Sequence, residues 1–485
     1  MNNTASALRD LSDEEPPEHA LTIDGEAVQT ASSFEVRNPA DGSLVAICPE
    51  GSPSLIDRAV ASARRAFPLW SSVSDAERAV KLMTIADLIE KHHDELSTLI
   101  TREQGKPQSG LGANMEVEGA AVWTRVTSQL TLPEEVIQND KRGKILVYRR
   151  PVGVVGSITP WNWPMMIAVW HIMPAIRTGC TVVIKPSPFT PLSTLRLVQI
   201  MNEVLPPGVI NVVAGSGELG AYLSAHPGVD KVVFTGSIET GKKIMIGGAQ
   251  TLKRLTLELG GNDAGIVLPN TAVEPHLERL FWGCFMNSGQ TCAALKRLYV
   301  HADQYEEFVT KFSAYVAGVP VGNGLDPVNL IGPLSNEMQL NKVAAYVEDA
   351  RERGGRIVTG GKRLNTVGFF YAPTVIADAT DDALVVKEEQ FGPVIPILKY
   401  STVDEAIARA NSLNVGLGGS VWGDDAEQAA RYATRMICGT VWVNQHGALH
   451  PKAPFGGVKN SGIGVEFSTD GLREYTTTQV LNVAL

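Results

Sequence analysis

No two cysteines are separated by the two-residue gap of a zinc or dithiol motif. The five present, Cys48, Cys180, Cys284, Cys292 and Cys438, are an odd number without metal-ligand spacing. They read as reduced thiols in a reducing compartment, and no metal is expected. The nine histidines add no metal pattern. His92 and His93 fall in a polar helical stretch, where adjacent residues do not face one ligand, so a solvated pair is expected. Positive charge is also scarce: 42 Lys and Arg against 52 Asp and Glu leave a net charge of -10. The densest basic cluster, Lys141-Arg142 to Arg149-Arg150, is interrupted by apolar residues. No nucleic-acid partner is expected, because such partners demand a basic surface. No leader is expected either. The N-terminus carries Asp10, Asp13, Glu14, Glu15 and Glu18 with no apolar core, so it reads as neither signal nor transit peptide. Residues 1–20 are expected to be poorly ordered, as chain ends often are. Finally, there is no unbroken span. Residues 151–176 lack Asp, Glu, Lys and Arg, but Pro160, Asn162, Pro164 and Pro174 interrupt them. A buried strand, a turn and a helix start are expected there, with no membrane partner and a cytoplasmic location.

What is present is ordinary globular chemistry, 44% hydrophobic and 19% charged over 485 residues, enough for two or three domains. Helical periodicity covers 55–70 and 75–104, with Ser54 and Ser74 as N-caps and Asp57 and Glu77 three residues on. Short apolar runs at 152–158, 181–184, 209–213 and 231–234 each end in a polar or Gly/Pro turn followed by a helix. This is the grammar of a doubly wound α/β sheet, with ligands at the carboxyl ends of its strands. A second such region starts after Glu258, with strands at 266–268, 297–300, 394–398 and 440–443 and helices at 337–353 and 403–412. Residues 145–149 and 474–483 alternate as strands. They read either as a small sheet between subunits or as an edge hairpin.

Seven segments could carry chemistry, and each also has a plain structural reading; for the two glycine turns it is simply a tight turn. Met286-Asn287-Ser288-Gly289-Gln290-Thr291-Cys292 places a cysteine in a turn at a helix end, where a thiol is either reactive or merely buried. Glu258 closes an apolar strand before Gly260-Gly261. A carboxylate in an apolar setting titrates high and can serve as a base; a solvated strand end is the alternative. In Thr159-Pro160-Trp161-Asn162-Trp163-Pro164, the Asn162 amide either faces a developing oxyanion or caps a helix. Lys185-Pro186-Ser187-Pro188 is a strand end whose lysine binds ribose or phosphate, or water. Gly215-Ser216-Gly217-Glu218-Leu219-Gly220 matches the dinucleotide fingerprint, weak evidence alone. Phe234-Thr235-Gly236-Ser237 is a second strand-to-helix turn able to hold a phosphate. In Glu388-Glu389-Gln390-Phe391, a carboxylate and an aromatic suit a ribose and a flat ring, or a plain loop.

In this order, and with Pro454-Phe455-Gly456-Gly457 and the closing Tyr475-Thr476, the segments resemble the aldehyde dehydrogenase superfamily from about Phe34 to the C-terminus. The resemblance implies an α/β fold. It has a doubly wound, Rossmann-like NAD(P)-binding domain (21–130 and 151–257) and an α/β catalytic domain (258–445). Oligomerisation strands follow at 131–150 and 471–485, and 446–470 return to the cofactor domain. It implies Cys292 as nucleophile, Glu258 as base for deacylation, and Asn162 with the Cys292 N–H as oxyanion hole. Lys185 and Glu389 are similar to the pair that grips the ribose hydroxyls, Gln339 and Lys342 to a ribose-side pair on a helix. Trp161 and Phe391 are similar to aromatics flanking the cofactor, and Gly236 and Ser237 to the pyrophosphate turn. Ile158, Thr159, Ser187, Gly215, Gly220, Phe234, Thr235, Thr240 and Leu259 complete the expected cofactor site. Many NAD-preferring members carry a glutamate where this chain has Pro188. Proline cannot accept the ribose hydroxyls, but it does not repel a 2′-phosphate either; the expected coenzyme is NAD, with NADP tolerated. Trp163, Met166, Ile167, Trp170, Met286, Thr291 and Phe455 are expected to line an apolar substrate funnel, favouring a hydrophobic aldehyde over a charged semialdehyde. A homodimer or homotetramer is implied. The rival readings are a CoA-acylating enzyme and a non-catalytic scaffold of the same fold.

Overall fold

The computed structural model describes residues 19–484; most of the segment expected to be poorly ordered lies outside them. Five parallel strands form the centre of an eight-stranded sheet. In space they run Ile210–Val212, Thr181–Lys185, Val154–Ile158, Lys231–Gly236 and Arg254–Leu259. Numbered by chain order, that is 3-2-1-4-5, a doubly wound arrangement whose direction reverses between Val154–Ile158 and Lys231–Gly236. Their residues are buried almost without exception because helices cover both faces, so the strands read as continuous apolar runs.

A second sheet of seven strands runs Arg356–Thr359, Thr374–Ala377, Val394–Tyr400, Leu295–His301, Asp263–Val267, Gly418–Trp422 and Thr440–Val443. All are parallel except Arg356–Thr359, which pairs antiparallel at one edge. The two sheets have separate cores, one around Ile184, Val232 and Ile172, the other around Leu298, Ile397 and Tyr299. A third sheet is antiparallel. Thr476–Val483 pairs with Gly143–Pro151, from Thr476 opposite Pro151 to Val483 opposite Lys144, and Glu135–Asp140 flanks it.

Three local expectations are corrected. The first helix is Pro53–Ser72, capped by Ser52 and not by Ser54: Pro53, which lacks an N–H, takes the first helical position, and Ser52 Oγ accepts from the Leu55 N–H. The stretch 75–104 is two helices, Asp75–Lys91 and His93–Gln104, interrupted at His92 (φ -98°, ψ 19°). The His92 ring bonds Glu95 at 2.8 Å, and Glu95 also pairs with Arg196, so this histidine is half-buried in an ion-pair cluster and is not simply solvated. The strands Thr374–Ala377 and Gly418–Trp422 were absent from the sequence reading; the second starts Gly-Gly-Ser, which hides it. Ser74 does form the capping box with Glu77. Residues 151–176 form the expected strand, turn and helix Pro164–Thr178. Among the described residues, no helix is long and apolar enough to cross a membrane.

Candidate active site

Cys292 lies between the helix Leu277–Phe285 and the strand Leu295–His301. The chain arrives through Asn287, Ser288 and Gly289, with φ of 53°, 56° and 71°. Left-handed backbone is costly for Asn and Ser. Side-chain bonds hold it here: Asn287 Nδ2 donates to the Asn162 carbonyl at 2.8 Å, Ser288 Oγ to the Gly332 carbonyl at 2.9 Å, and Gln290 Nε2 to the Asn287 carbonyl at 3.0 Å. A Cβ on Gly289 would lie 2.1 Å from the Gly392 carbonyl oxygen, so only glycine fits. The polar residues before Cys292 therefore shape the loop. Burial pushes the Cys292 thiol up to about 12; Lys296 opposes this, while Glu258 and Glu389 add to it.

Asn162 sits in the turn before the helix Pro164–Thr178. Its Nδ2 donates to the Gln290 carbonyl at 3.0 Å, tying the turn to the Cys292 loop. Beneath it is a buried ion pair that sequence reasoning missed. Lys106 Nζ lies 2.6 Å from Glu116 Oε2, donates to the Asn162 carbonyl at 2.7 Å and stands 3.4 Å from the centre of the Trp163 ring. The other Glu116 oxygen accepts the N–H groups of Met165 and Met166 at 3.0 and 3.1 Å, in the first turn of that helix. Burial pulls Lys106 down to about 8.

Glu258 is on the last of the five parallel strands, opposite Gly462 of a short antiparallel edge strand. It is buried, and neither carboxylate oxygen has a hydrogen-bond partner. Burial, reinforced by the nearby Glu466 carboxylate, holds its pKa well above the usual carboxylate range. Glu466 in turn lies 3.3 Å from the His171 Nε2, which bonds Thr235 Oγ1 at 2.9 Å, while His171 Nδ1 bonds Ser157 Oγ, also at 2.9 Å. Neither His171 nor Glu466 was anticipated from the sequence.

Two cavities flank the turn between the strand Lys231–Gly236 and the helix Ile238–Ala249. One, of about 180 Å³, is lined by Trp161, Asn162, Thr235, Gly236, Ser237, Glu258, Leu259, Cys292, Gln339, Lys342, Glu389 and Phe391. The other, of about 690 Å³, is lined by Ile158, Lys185, Gly217, Gly220 and Thr240, with the apolar Ile244 and Ile246. Ser237 caps the helix, its Oγ accepting from the Thr240 N–H at 3.3 Å. A Cβ on Gly236 would lie 2.4 Å from the Phe234 ring.

Several expected cofactor residues also make contacts within the fold itself. Lys185 and Glu389 line different cavities, Lys185 the larger and Glu389 the smaller. Lys185 Nζ bonds the Pro186 carbonyl, and burial pulls this lysine down to about 8. The Gln339 amide donates to the carbonyls of Gln390 and Phe391, both at 2.8 Å, and so braces the Glu389 loop. Gly215 approaches Leu219 and Gly51 in a turn, Ser187 accepts from the Phe189 N–H, and Phe234 packs over Gly236. These three, with Thr159 and Pro188, line neither cavity. Trp161 and Phe391 contact each other edge to face at 5.3 Å.

The apolar wall is an aromatic cluster. Trp163, Met166 and Ile167 pack with Met115, Trp123, Trp170 and Met286. Trp163 Nε1 donates to Thr291 Oγ1 at 3.1 Å. Phe467 and Trp123, absent from the sequence reading, complete it: Phe467 lies 4.8 Å from Trp170 and 5.9 Å from Phe455. Ile167 is corrected: it is completely buried behind this wall and presents no surface to a ligand.

With this geometry in hand, comparison with known proteins is direct. The model of the aldehyde dehydrogenase family matches residues 27–481. An aldehyde dehydrogenase of Enchytraeus buchholzi is 40% identical over 480 residues, 96% of this chain and 95% of that protein. Human retinal dehydrogenase 2 is 38% identical, over 93% of this chain and 89% of its own. The NAD+ complex of an aldehyde dehydrogenase from Bacillus cereus superposes with a TM-score of 0.94 at 36% identity, covering 97% of each chain. The doubly wound fold, the match along nearly the whole length and the two relatives agree: this chain belongs to the aldehyde dehydrogenase family.

Proposed function

We propose that this aldehyde dehydrogenase converts an apolar aldehyde to the carboxylic acid through a covalent adduct on Cys292, with NAD as coenzyme and NADP tolerated. One observation carries the reading: Cys292, Asn162 and Glu258 share a cavity with Glu389 and Phe391, next to the turn that leads to the larger cavity. The residues present fit a dinucleotide. The larger cavity, with Lys185 and apolar walls, suits an adenosine. The Gly236-Ser237 turn at a helix start suits the pyrophosphate. Glu389 suits the second ribose. Bound NAD supplies the two-electron acceptor that turns the thiohemiacetal into a thioester.

The chain's own residues do the rest. Cys292 gives up its thiol proton to solvent, its Sγ attacks the aldehyde carbon as thiolate, and the carbonyl oxygen becomes an alkoxide. The second N–H of the Asn162 amide, not engaged by Gln290, donates to it; one well-placed donor contributes about 2.7–4 kcal/mol. Glu258 then takes a proton from water, the resulting hydroxide attacks the thioester carbonyl, and the C–S bond breaks to release acid and thiolate. Its elevated pKa is what makes Glu258 a useful base near neutrality. The cofactor domain is assigned to 21–130 and 151–257, the catalytic domain to 258–445, and the returning segment to 446–470. Residues 131–150 and 471–485 are assigned to assembly. Exposed Val136, Ile137, Val480 and Leu481 on that three-stranded sheet support a homodimer or homotetramer. Five free cysteines favour the cytoplasm. Water, not CoA, is the acceptor because Glu258 is placed to deprotonate it; product analysis with and without CoA tests that. The nucleophile is tested by Cys292→Ala, which abolishes aldehyde-dependent coenzyme reduction while coenzyme binding stays near wild type. Cys284→Ala, buried in the second core, keeps most activity. Substantial turnover by Cys292→Ala overturns the covalent route.

A further inference from the structure

Lys296 is the second residue of the strand Leu295–His301, and its side chain is 3% exposed. In the fold, its Nζ donates to the carbonyl of Cys292 and lies 3.0 Å from Glu389 Oε1. That same oxygen accepts from the Gly261 N–H at 3.3 Å. The connection is doubled through the backbone, because Gln390 Nε2 donates to the Lys296 carbonyl at 3.0 Å. One buried ammonium thus joins the main chain of the nucleophile to a carboxylate of the opposite cavity wall. The charged groups that act on Cys292 are Glu258, Glu389 and Lys296, and only Lys296 is positive. Lys342, another cation of the same neighbourhood, feels the charges of Glu389, Glu388 and Lys296.

A fixed cation near a buried thiol favours the thiolate, and two carboxylates oppose it. We propose that Lys296 is a positioning residue that locks the Cys292 main chain and the Glu389 carboxylate into one ion-paired unit and supplies the positive field in which the Cys292 thiolate forms. The inference rests on Cys292 being the nucleophile. It goes further in making formation of that nucleophile depend on a lysine that touches neither the thiol nor the aldehyde. Because Glu389 shares the same ammonium, occupancy of the Glu389 side of the cavity and the readiness of Cys292 are coupled through it.

The test uses the full-length protein without coenzyme. Alkylation of Cys292 by iodoacetamide is followed against pH by intact-protein mass spectrometry, with Cys292→Ala as the site control. For Lys296→Met, alkylation of Cys292 at each pH below the thiol midpoint is at least about tenfold slower, the equivalent of a profile moved up by about one pH unit. Lys296→Arg returns it towards wild type. Lys296→Gln can still donate to the Cys292 carbonyl, and it shifts the profile as Met does; it also serves if the Met variant does not fold. A folded Lys296→Met or Lys296→Gln with the wild-type profile overturns the proposal. Labelling in the Cys292→Ala control equal to wild type would instead overturn Cys292 as the reactive thiol, so the two failures are distinct.

Discussion

The two parallel sheets meet the active site with opposite ends. The first follows the usual rule for open α/β sheets and presents the carboxyl ends of its strands. Ile158, Lys185, Gly236 and Glu258 all stand at or beside such ends. The second presents amino ends: Cys292 precedes Leu295–His301, and Glu389 and Phe391 precede Val394–Tyr400. At carboxyl ends, strand geometry and helix starts make a ready site for a phosphate-bearing ligand. At amino ends, the chain arrives from a loop, and the loop must be held by its own contacts. The left-handed run at Asn287–Gly289 and the Gln339 brace on the Gln390–Phe391 backbone are those contacts. The first half thus borrows its order from the sheet, while the second has to build it residue by residue.

The sharpest way to separate the halves is Glu258→Gln. It keeps shape but removes the base, which typically contributes ~100–10,000-fold. The expected outcome is a single-turnover burst of reduced coenzyme, steady-state turnover lowered by that factor, and an acyl mass on Cys292 in intact-protein spectra. Wild-type steady-state turnover would mean that the first sheet supplies no base. The pH profile carries the same information. Glu258 must lose its proton to work, so wild-type deacylation falls as pH drops through a pKa raised above the usual carboxylate range. The variant lacks that limb. The sign of the stability effect is opposite. A carboxyl whose folded pKa is raised destabilises the fold above its unfolded pKa, so Glu258→Gln is expected to be more stable at neutral pH, by on the order of 1 kcal/mol. Thermal melts of the two proteins at neutral and at acidic pH, where the difference vanishes, check it.

Deleting residues 474–485 tests whether the third sheet stands apart from both halves. It exposes the long edge of Gly143–Pro151 and removes Tyr475, whose ring lies 5.0 Å from Lys231 at the start of a central strand of the first sheet. Dissociation or aggregation in light scattering is expected, with coenzyme binding weakened more than alkylation of Cys292. A well-behaved truncated protein of unchanged size would break the assignment to assembly. The smallest effect is expected from Pro188→Glu. A carboxylate in the turn after Lys185 repels a 2′-phosphate, so the ratio of kcat/KM for NAD over NADP rises several-fold while Cys292 alkylation is untouched. An unchanged ratio would separate Pro188 from the adenosine ribose.

Legibility in the sequence follows the same division. The first sheet was readable because buried parallel strands are continuous apolar runs ending in Gly, Pro or polar turns, and the strand-end residues came with them. The Cys292 and Glu389 loops acquired roles only by resemblance, since nothing local distinguishes a braced loop from a solvated one. The buried charges were missed for a related reason: Lys106, Lys296 and Glu466 find their partners through tertiary contacts, at separations that periodicity does not report. One signal did exist. On the helix Ala113–Gln129, Glu116 shares a stripe with Ala113, Ala120, Thr124 and Thr127, all buried, and a lone carboxylate on an apolar helical stripe calls for a partner. Ile167 was misplaced because helical spacing alone does not say which side of a fully buried helix faces the cavity.

The Lys106–Glu116 pair beneath Asn162 has a genetic consequence. Losing either partner alone strands a charge in a dry interior and costs about 3–5 kcal/mol, enough to threaten folding. Replacing both by apolar residues of similar volume is close to neutral for stability in comparable settings. It would nonetheless release the Asn162 carbonyl and the first N–H groups of the helix Pro164–Thr178. Descendants of this sequence can thus drift in stability through paired changes at 106 and 116, but any such lineage must find another way to hold the Asn162 turn. Variation at these two positions is therefore expected to be correlated, and rare wherever turnover is under selection.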